Sequence, residues 1–254
     1  MTVSLGLVVP AYRPDVDRLA AYLAELRETL EPDAVRIELD DPDEEVAAAL
    51  GDLPAEVDAV PYRRGKGAAI TAGFESLDTD VLAFADADGS TPAASLAAVV
   101  EPVVDGRADL AVGSRRHPEA TVASHQTWGR RRLGDGFAWL ARRLLNVDLY
   151  DYQCGAKAIT APAWGSVREH LYEPGFAWDV ELVAIAGALE LRVAEVPIEW
   201  HDRPGSTVSP VRTSLRLARA LLTARHRAKH LRNSRLHEAI AAQREEPTAL
   251  VDQE

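Results

Sequence analysis

The first half of the chain alternates short apolar runs with stretches of helical periodicity. Residues 4–9 form one nearly unbroken apolar run, the pattern of a strand covered on both faces. Val16, Leu19, Ala20, Leu23 and Leu26 then recur at helical spacing, predicting a helix over 15–30. The alternation continues with a strand at 35–39, a short acidic helix opened by Asp40-Asp41-Pro42-Asp43, and a strand at 57–60. A helix from Arg64-Gly65-Lys66-Gly67 through 74, a strand at 81–85, a helix at 92–104 and a strand at 110–112 follow. Such alternation with short connections predicts an α/β fold, a mostly parallel sheet covered by helices on both faces. The second half is less regular. It predicts a helix at 128–145, short strands around 152–159, a helix at 178–188, a strand at 193–199, a loop at 201–210 and a long helix from about Val211. The expected organisation is one domain over 1–210, a basic helical extension over 211–245 and a disordered polar tail over 246–254.

The strand at 81–85 runs straight into Asp86-Ala87-Asp88-Gly89-Ser90-Thr91-Pro92. Two carboxylates one residue apart at a strand exit can hold a divalent cation. Mg²⁺ and Mn²⁺ take oxygen ligands, commonly one or two carboxylates together with water and phosphate oxygens. The same residues also make an ordinary Asp/Gly turn. Position adds weight to the first reading. In open α/β sheets ligands bind beyond the carboxyl ends of the strands, and Pro10-Ala11-Tyr12, Asp40-Asp41, Lys66 and Asp86/Asp88 all fall there. Lys66, between two glycines at a helix start, is placed to meet a phosphate.

Charge changes the picture in one place. The net charge of −12 argues against a nucleic-acid partner. Residues 1–111 hold 8 Lys+Arg against 23 Asp+Glu, whereas 201–235 hold 9 against 1. With only three lysines (Lys66, Lys157, Lys229), the composition is halophile-like, of the kind found in archaea with a salt-adapted cytoplasm. The single cysteine, Cys154, excludes an internal disulfide and reads as a small buried hydrophobe. No apolar stretch reaches membrane-span length, and Met1-Thr2-Val3-Ser4-Leu5 has no leader-like features, so a cytoplasmic location is expected.

The ordered motifs resemble family 2 glycosyltransferases of the GT-A fold. They are Val8-Val9-Pro10-Ala11-Tyr12, the acidic pair Asp40-Asp41, Arg64-Gly65-Lys66-Gly67-Ala68-Ala69 and Asp86-Ala87-Asp88. Asp151-Tyr152-Gln153-Cys154-Gly155-Ala156-Lys157, Phe176-Ala177-Trp178-Asp179-Val180-Glu181-Leu182 and Gly205-Ser206 narrow the resemblance to the dolichyl-phosphate β-glucosyltransferases, beside the polyprenyl-phosphate mannose synthases. The resemblance implies a donor site of Pro10, Ala11, Tyr12, Asp40, Asp41, Lys66, Asp86, Ala87 and Asp88, with Asp86 and Asp88 on Mg²⁺ or Mn²⁺. It implies an acceptor-phosphate site of Arg115, Gln153, Lys157, Arg203 and Ser206, with Asp88, Asp179 and Arg203 closest to the chemistry. Asp179 and Glu181 are candidates for a sugar-hydroxyl contact or a base, and equally for service to their own helix terminus. The sequence departs from the family at Arg13-Pro14, where Asn-Glu is usual, and at Thr207, where Gly-Ser-Lys would end in lysine. Ser90 stands where the mannose synthases carry Gln, which favours the glucosyl branch.

A lipid monophosphate is already an ionised nucleophile, so its site needs cations to position it more than a strong base. Arg115 and Arg203 fit that need. Basic amphipathic patterns at 128–145 (Arg130–Arg132, Arg142, Arg143) and from Val211 (Arg212, Arg216, Arg219, Arg225, Arg227, Lys229) match an anionic membrane surface. The expected function is therefore transfer of a hexose from a UDP-sugar, most simply UDP-glucose, to dolichyl or polyprenyl phosphate. It would occur peripherally, on the cytoplasmic face of a membrane. GDP-mannose as donor, a soluble acceptor such as phosphoglycerate, and a nucleotide-sugar-binding sensor or partner subunit are the alternatives.

Overall fold

The computed structural model describes residues 3–123, 128–201, 210–232, 234 and 248–253. The strands are β1 (Leu5–Tyr12), β2 (Ala34–Asp40), β3 (Glu56–Val60), β4 (Val81–Ala85), β5 (Leu110–Ser114), β6 (Thr121–Ala123), β7 (Ala156–Thr160), β8 (Val193–Pro197) and β9 (Glu199–His201). The helices are α1 (Val16–Leu30), α2 (Glu44–Gly51), α3 (Lys66–Glu75), α4 (Ala93–Val104), α5 (Trp128–Leu144), α6 (Ala161–Val167), α7 (Trp178–Ala188) and α8 (Pro210–Leu231). Seven strands form one sheet in the order β3-β2-β1-β4-β7-β5-β8. All neighbours run parallel except β7, which is antiparallel to both β4 and β5.

Strand periodicity puts alternate side chains into two cores. On one face Val8, Leu82, Phe84 and Val112 meet α3 and α5 through α8, around the ring cluster of Phe74, Trp164 and Trp178. On the other, Leu7, Ile37 and Ala83 meet α1, α2 and α4. The chain winds outward from β1 to β2 and β3, then returns to β4 on the other side of β1. That reversal opens a crevice at the carboxyl ends of β1 and β4, the usual ligand position in a doubly wound sheet.

Three expectations need correction. The strand expected at 193–199 is split: β8 ends at Pro197, which has no N–H to offer a ladder, and β9 pairs instead with β6 in a separate two-stranded sheet. Helix α8, expected as an extension beyond the domain, packs into its core. Leu221 and Ala224 are buried in the same core as Trp178, and Arg227 pairs with buried Glu181. The tail is not free throughout, because Ala249 and Leu250 are buried and Leu250 N–H donates to the carbonyl of Leu171 at 2.8 Å. Two apolar residues in a polar stretch suffice to dock a single turn.

Candidate active site

β4 is buried along its whole length, so its exit sets the first rim residue firmly. Asp86 donates its N–H to the carbonyl of Gly155 at 3.0 Å, and its side chain stays 42% exposed. Asp88 is exposed, and one of its oxygens accepts from Ser90 N–H at 2.9 Å. Gly89 turns the loop with φ +65, a conformation glycine adopts without strain. The loop is held from two further sides: Ser90 carbonyl accepts from His201 N–H at 2.9 Å, and Thr91 carbonyl from the Tyr22 hydroxyl at 2.6 Å. Burial and the charge of Asp86 push the Tyr22 phenol far above its ordinary range, so it stays a donor.

This pair fits a divalent cation. Both carboxylates reach solvent, and one oxygen of Asp88 remains outside its turn bond. Among the described residues no cluster of three or more His, Cys, Asp or Glu side chains forms. An ion here would complete its shell with water and donor phosphate oxygens, the habit of Mg²⁺ and Mn²⁺.

Behind the pair lies a buried ionic chain. Lys66 Nζ sits 2.8 Å from Oδ1 of Asp86 and 3.2 Å from Oδ2 of Asp179. The other oxygen of Asp179 takes Lys157 Nζ at 2.5 Å, and Lys157 also donates to the Cys154 carbonyl at 2.7 Å. Burial opposes the charge on Asp179, but the two ammonium groups overcome it and hold the carboxyl below its ordinary range. For Lys66 burial is likewise overcome, by Asp179 and Asp86, and its pKa rises. Asp86 is pushed the other way: burial of its inner side outweighs Lys66 and raises its carboxyl.

Two expected roles fail on this geometry. Lys157 is 1% exposed on a central strand, so it cannot touch an acceptor phosphate. Asp179 is buried, 2% exposed, with each oxygen on a lysine, and so is enclosed away from a substrate proton. Glu181 is also internal. It accepts from the N–H groups of Tyr172 and Glu173 at 2.8 and 2.7 Å and pairs with Arg227. Nor does the α3 terminus cradle a phosphate by its backbone, because Gly67 and Ala68 N–H both donate to the Pro174 carbonyl. Lys66 therefore acts through its side chain.

At the nucleotide side, Tyr12 lies opposite Asp40 in the β1–β2 register. Asp40 is buried and takes Arg64 Nε at 2.8 Å and Gly65 N–H at 2.9 Å, so it fixes the loop into α3. Asp41 is more open, with Arg13 3.7 Å away. Arg13 and Asp41 both adopt left-handed backbone, φ 49 and 48, at the ends of adjacent strands. Strain of this kind persists where surrounding structure enforces it, often at ligand sites. Pro10 is half-buried, and Ala11 is buried and offers only backbone. Arg63, which sequence reasoning overlooked, covers the Tyr12 ring at 4.1 Å.

On the opposite side Arg115 grips Asp151 with two prongs, Nε at 2.7 Å and Nη2 at 3.1 Å, and Nη2 also reaches the Gln153 carbonyl at 3.2 Å. Gln153 N–H returns to Asp151 at 3.0 Å. Burial resists the charge on Asp151, but Arg115 prevails and holds its carboxyl at about 2. The guanidinium keeps an open edge beside the Trp200 ring, 5.7 Å off. Arg203, Ser206 and Thr207 lie outside the described residues, as do the side chains of Arg130, Arg131, Arg132, Arg212 and Arg216. Burial pushes the Cys154 thiol up to about 12, so it stays protonated.

The seven-stranded, mostly parallel sheet covered by helices on both faces has the GT-A fold. Residues 7–149 match the glycosyl transferase family 2 domain, and the chain belongs to that family and is a glycosyltransferase. It is similar to glycosyltransferase AglD of Haloferax volcanii, 30% identical over 231 residues, 87% of this chain and 36% of AglD. It is 29% identical to the dolichyl-phosphate β-glucosyltransferases of Mus musculus and Homo sapiens, over 89% of this chain and 76% of each of theirs. The chain thus spans about a third of AglD and three quarters of the two mammalian enzymes. Among solved structures, glucosyl-3-phosphoglycerate synthase of Mycobacterium tuberculosis, crystallised with Mn²⁺, UDP-glucose and phosphoglyceric acid, superposes with TM-score 0.69 at 15% identity, covering 88% of this chain and 80% of that one. Mannosyl-3-phosphoglycerate synthase of Rubrobacter xylanophilus gives TM-score 0.66 at 18% identity, covering 91% and 74%.

Proposed function

We propose that this glycosyltransferase moves glucose from UDP-glucose to a dolichyl or polyprenyl phosphate, with inversion, giving a β-linked lipid phosphosugar. The observation that carries the reading is the crevice itself. A carboxylate pair suited to a cation, an ammonium (Lys66) and a guanidinium (Arg115) face one opening at the ends of β4, α3 and β5. The similarity to the dolichyl-phosphate β-glucosyltransferases supports the lipid acceptor and the sugar.

Asp86 and Asp88 would hold a divalent cation, which would supply Lewis-acid neutralisation of the departing diphosphate. Tyr12, stacked by Arg63, and the open carboxylate of Asp41 bind the base. Lys66 reaches donor phosphate from its place beside Asp86. Arg115, rigid on Asp151, orients the acceptor phosphate so that its oxygen meets the anomeric carbon opposite the leaving group. Arg203 and Ser206, which the sequence resemblance assigns to the same phosphate, would add to that hold. An acceptor already ionised needs no base, which agrees with the enclosure of Asp179.

No helix among the described residues is long and apolar enough to cross a membrane. A peripheral seat at a membrane is supported by α5 and the segment after it, where exposed Trp139 lies 4.8 Å from Arg143 and exposed Tyr150 lies 5.2 Å from Arg142; the cytoplasmic face is part of the proposal. Aromatic and basic side chains side by side suit an anionic headgroup layer.

The deciding experiment is transfer of label from UDP-glucose into organic-extractable lipid, with Mn²⁺ or Mg²⁺ and polyprenyl phosphate. EDTA and Asp88→Ala serve as controls. Metal-dependent lipid label, lost in the variant, is expected. Label appearing only with phosphoglycerate, or only from GDP-mannose, would overturn the acceptor or the donor respectively.

A further inference from the structure

We propose that Lys66, shared between Asp86 and Asp179, is a built-in competitor for the divalent cation at Asp86, and that donor diphosphate relieves the competition. This rests on the metal-and-diphosphate reading of the site.

The argument starts from charge. Asp179 is buried and shared by two ammonium groups, Lys157 at 2.5 Å and Lys66 at 3.2 Å. One carboxylate cannot neutralise two lysines. The surplus positive charge is met by Asp86, 2.8 Å from Lys66, so that four side chains from α3, β7, α7 and the β4 exit make a neutral quartet. Lys157 has no freedom to change partners, since it is enclosed and also bonded to the Cys154 carbonyl. Of the two lysines Lys66 is the more exposed, 9% against 1%, and its partners here are the two carboxylates, so it is the lysine able to change partners.

A divalent cation on Asp86 would stand within a few ångströms of that ammonium, and at such range like charges repel strongly. Donor diphosphate offers Lys66 a new set of anionic oxygens and removes the conflict. Cation and nucleotide then bind as a coupled pair, each improving the other's affinity by the same factor. Asp179 and Lys157 are positioning residues in this scheme. They touch neither ligand and act only by placing Lys66.

The test is Mn²⁺ binding followed by the electron paramagnetic resonance signal of free Mn²⁺, with and without UDP, on the full chain. For Lys66→Met, Mn²⁺ without UDP is expected to bind about tenfold tighter than to wild type, the size of one nearby charge removed in a partly solvated site. The further tightening on adding UDP is expected to shrink. For Asp179→Asn the sign reverses: Lys66 leans wholly on Asp86, and Mn²⁺ binds several-fold more weakly. Lys66→Met leaves Lys157 and Asp179 paired, so it should fold even if Asp179→Asn does not, and it alone decides the matter. Unchanged or weaker Mn²⁺ binding in Lys66→Met would overturn the proposal. A wild-type chain that binds no Mn²⁺ with or without UDP would sink the metal reading beneath it, a separate failure.

Discussion

Gly155 and Asp86 approach so closely that a Cβ on Gly155 would lie 1.9 Å from Oδ2 of Asp86. The two also share a backbone hydrogen bond across the β4–β7 edge. The bare glycine is what lets this carboxylate lie back against β7 and face the crevice. We expect Gly155→Ala to swing Asp86 away, reducing kcat/KM by at least about tenfold, the cost of an ångström-scale misplacement at a reacting site. Overpacking would lower stability by about 1–3 kcal/mol. Steady-state kinetics beside thermal melting would check both, and unaltered kcat/KM would remove Gly155 from the site.

The grip of Arg115 on Asp151 predicts a pH-dependent share of stability. The folded pKa of Asp151, about 2, lies below its unfolded value near 4. Its contribution is therefore present in full above about pH 4 and is lost as pH falls through about 2. The depression corresponds to about 2 kcal/mol. Denaturant unfolding of wild type and Asp151→Asn should differ near pH 6 and converge towards pH 2. Arg115→Ala should cost about 3 kcal/mol, the low end for breaking a buried pair, because Arg115 itself is partly open.

Much of the site was legible because it sits at strand ends. Val81–Ala85 is apolar without a break, and the two carboxylates that follow could only emerge at the rim. The misreadings concern residues whose partners are distant. Lys157 lies in a strand whose alternation places it inward, and nothing local marks that face, since its counterion Asp179 comes from another element. The resemblance grouped Lys157 with an acceptor site, and burial overrules it. Asp40 was legible as half of an acidic pair at a strand end, whereas its bonds to Arg64 and Gly65 were not. Three-residue strands such as β6 and β9 carry no periodicity to read, and Leu250 docks on partners distant in sequence, by a bond to Leu171 and by packing into the core beside α3. Arg63 gave no signal beyond its place before Arg64, because a stack on Tyr12 depends on how two loops meet.

That stack yields a prediction on donor binding. Tyr12 is 37% exposed, and Arg63 stands over its ring. If the base packs on this pair, Tyr12→Ala should weaken UDP binding by about 1–3 kcal/mol, the range for an aromatic stack with a base. Arg63→Ala should weaken it less. Neither residue is in the core, so melting temperature should barely move. Calorimetric titration with UDP would decide, and unchanged affinity in both variants would place the base elsewhere.

The last prediction concerns the membrane. Trp139 is 52% exposed on the outer face of α5, while Ala138 and Ala141 on its inner face are buried. Arg142 and Arg143 follow one turn later, beside Tyr150 and Trp139. An aromatic ring in water beside two guanidinium groups gains nothing from the core and much from a headgroup layer. Each basic residue near an anionic surface contributes about 1 kcal/mol. Trp139→Ala with Arg143→Glu should therefore reduce co-sedimentation with vesicles containing anionic lipid by more than about tenfold. UDP binding should persist, since these side chains lie on α5 and outside the crevice. High salt should mimic the variant by screening the same charges. Vesicle binding that survives both the substitutions and the salt would assign the lipid contact to another face, with α8 and its exposed Leu222 next to be tested.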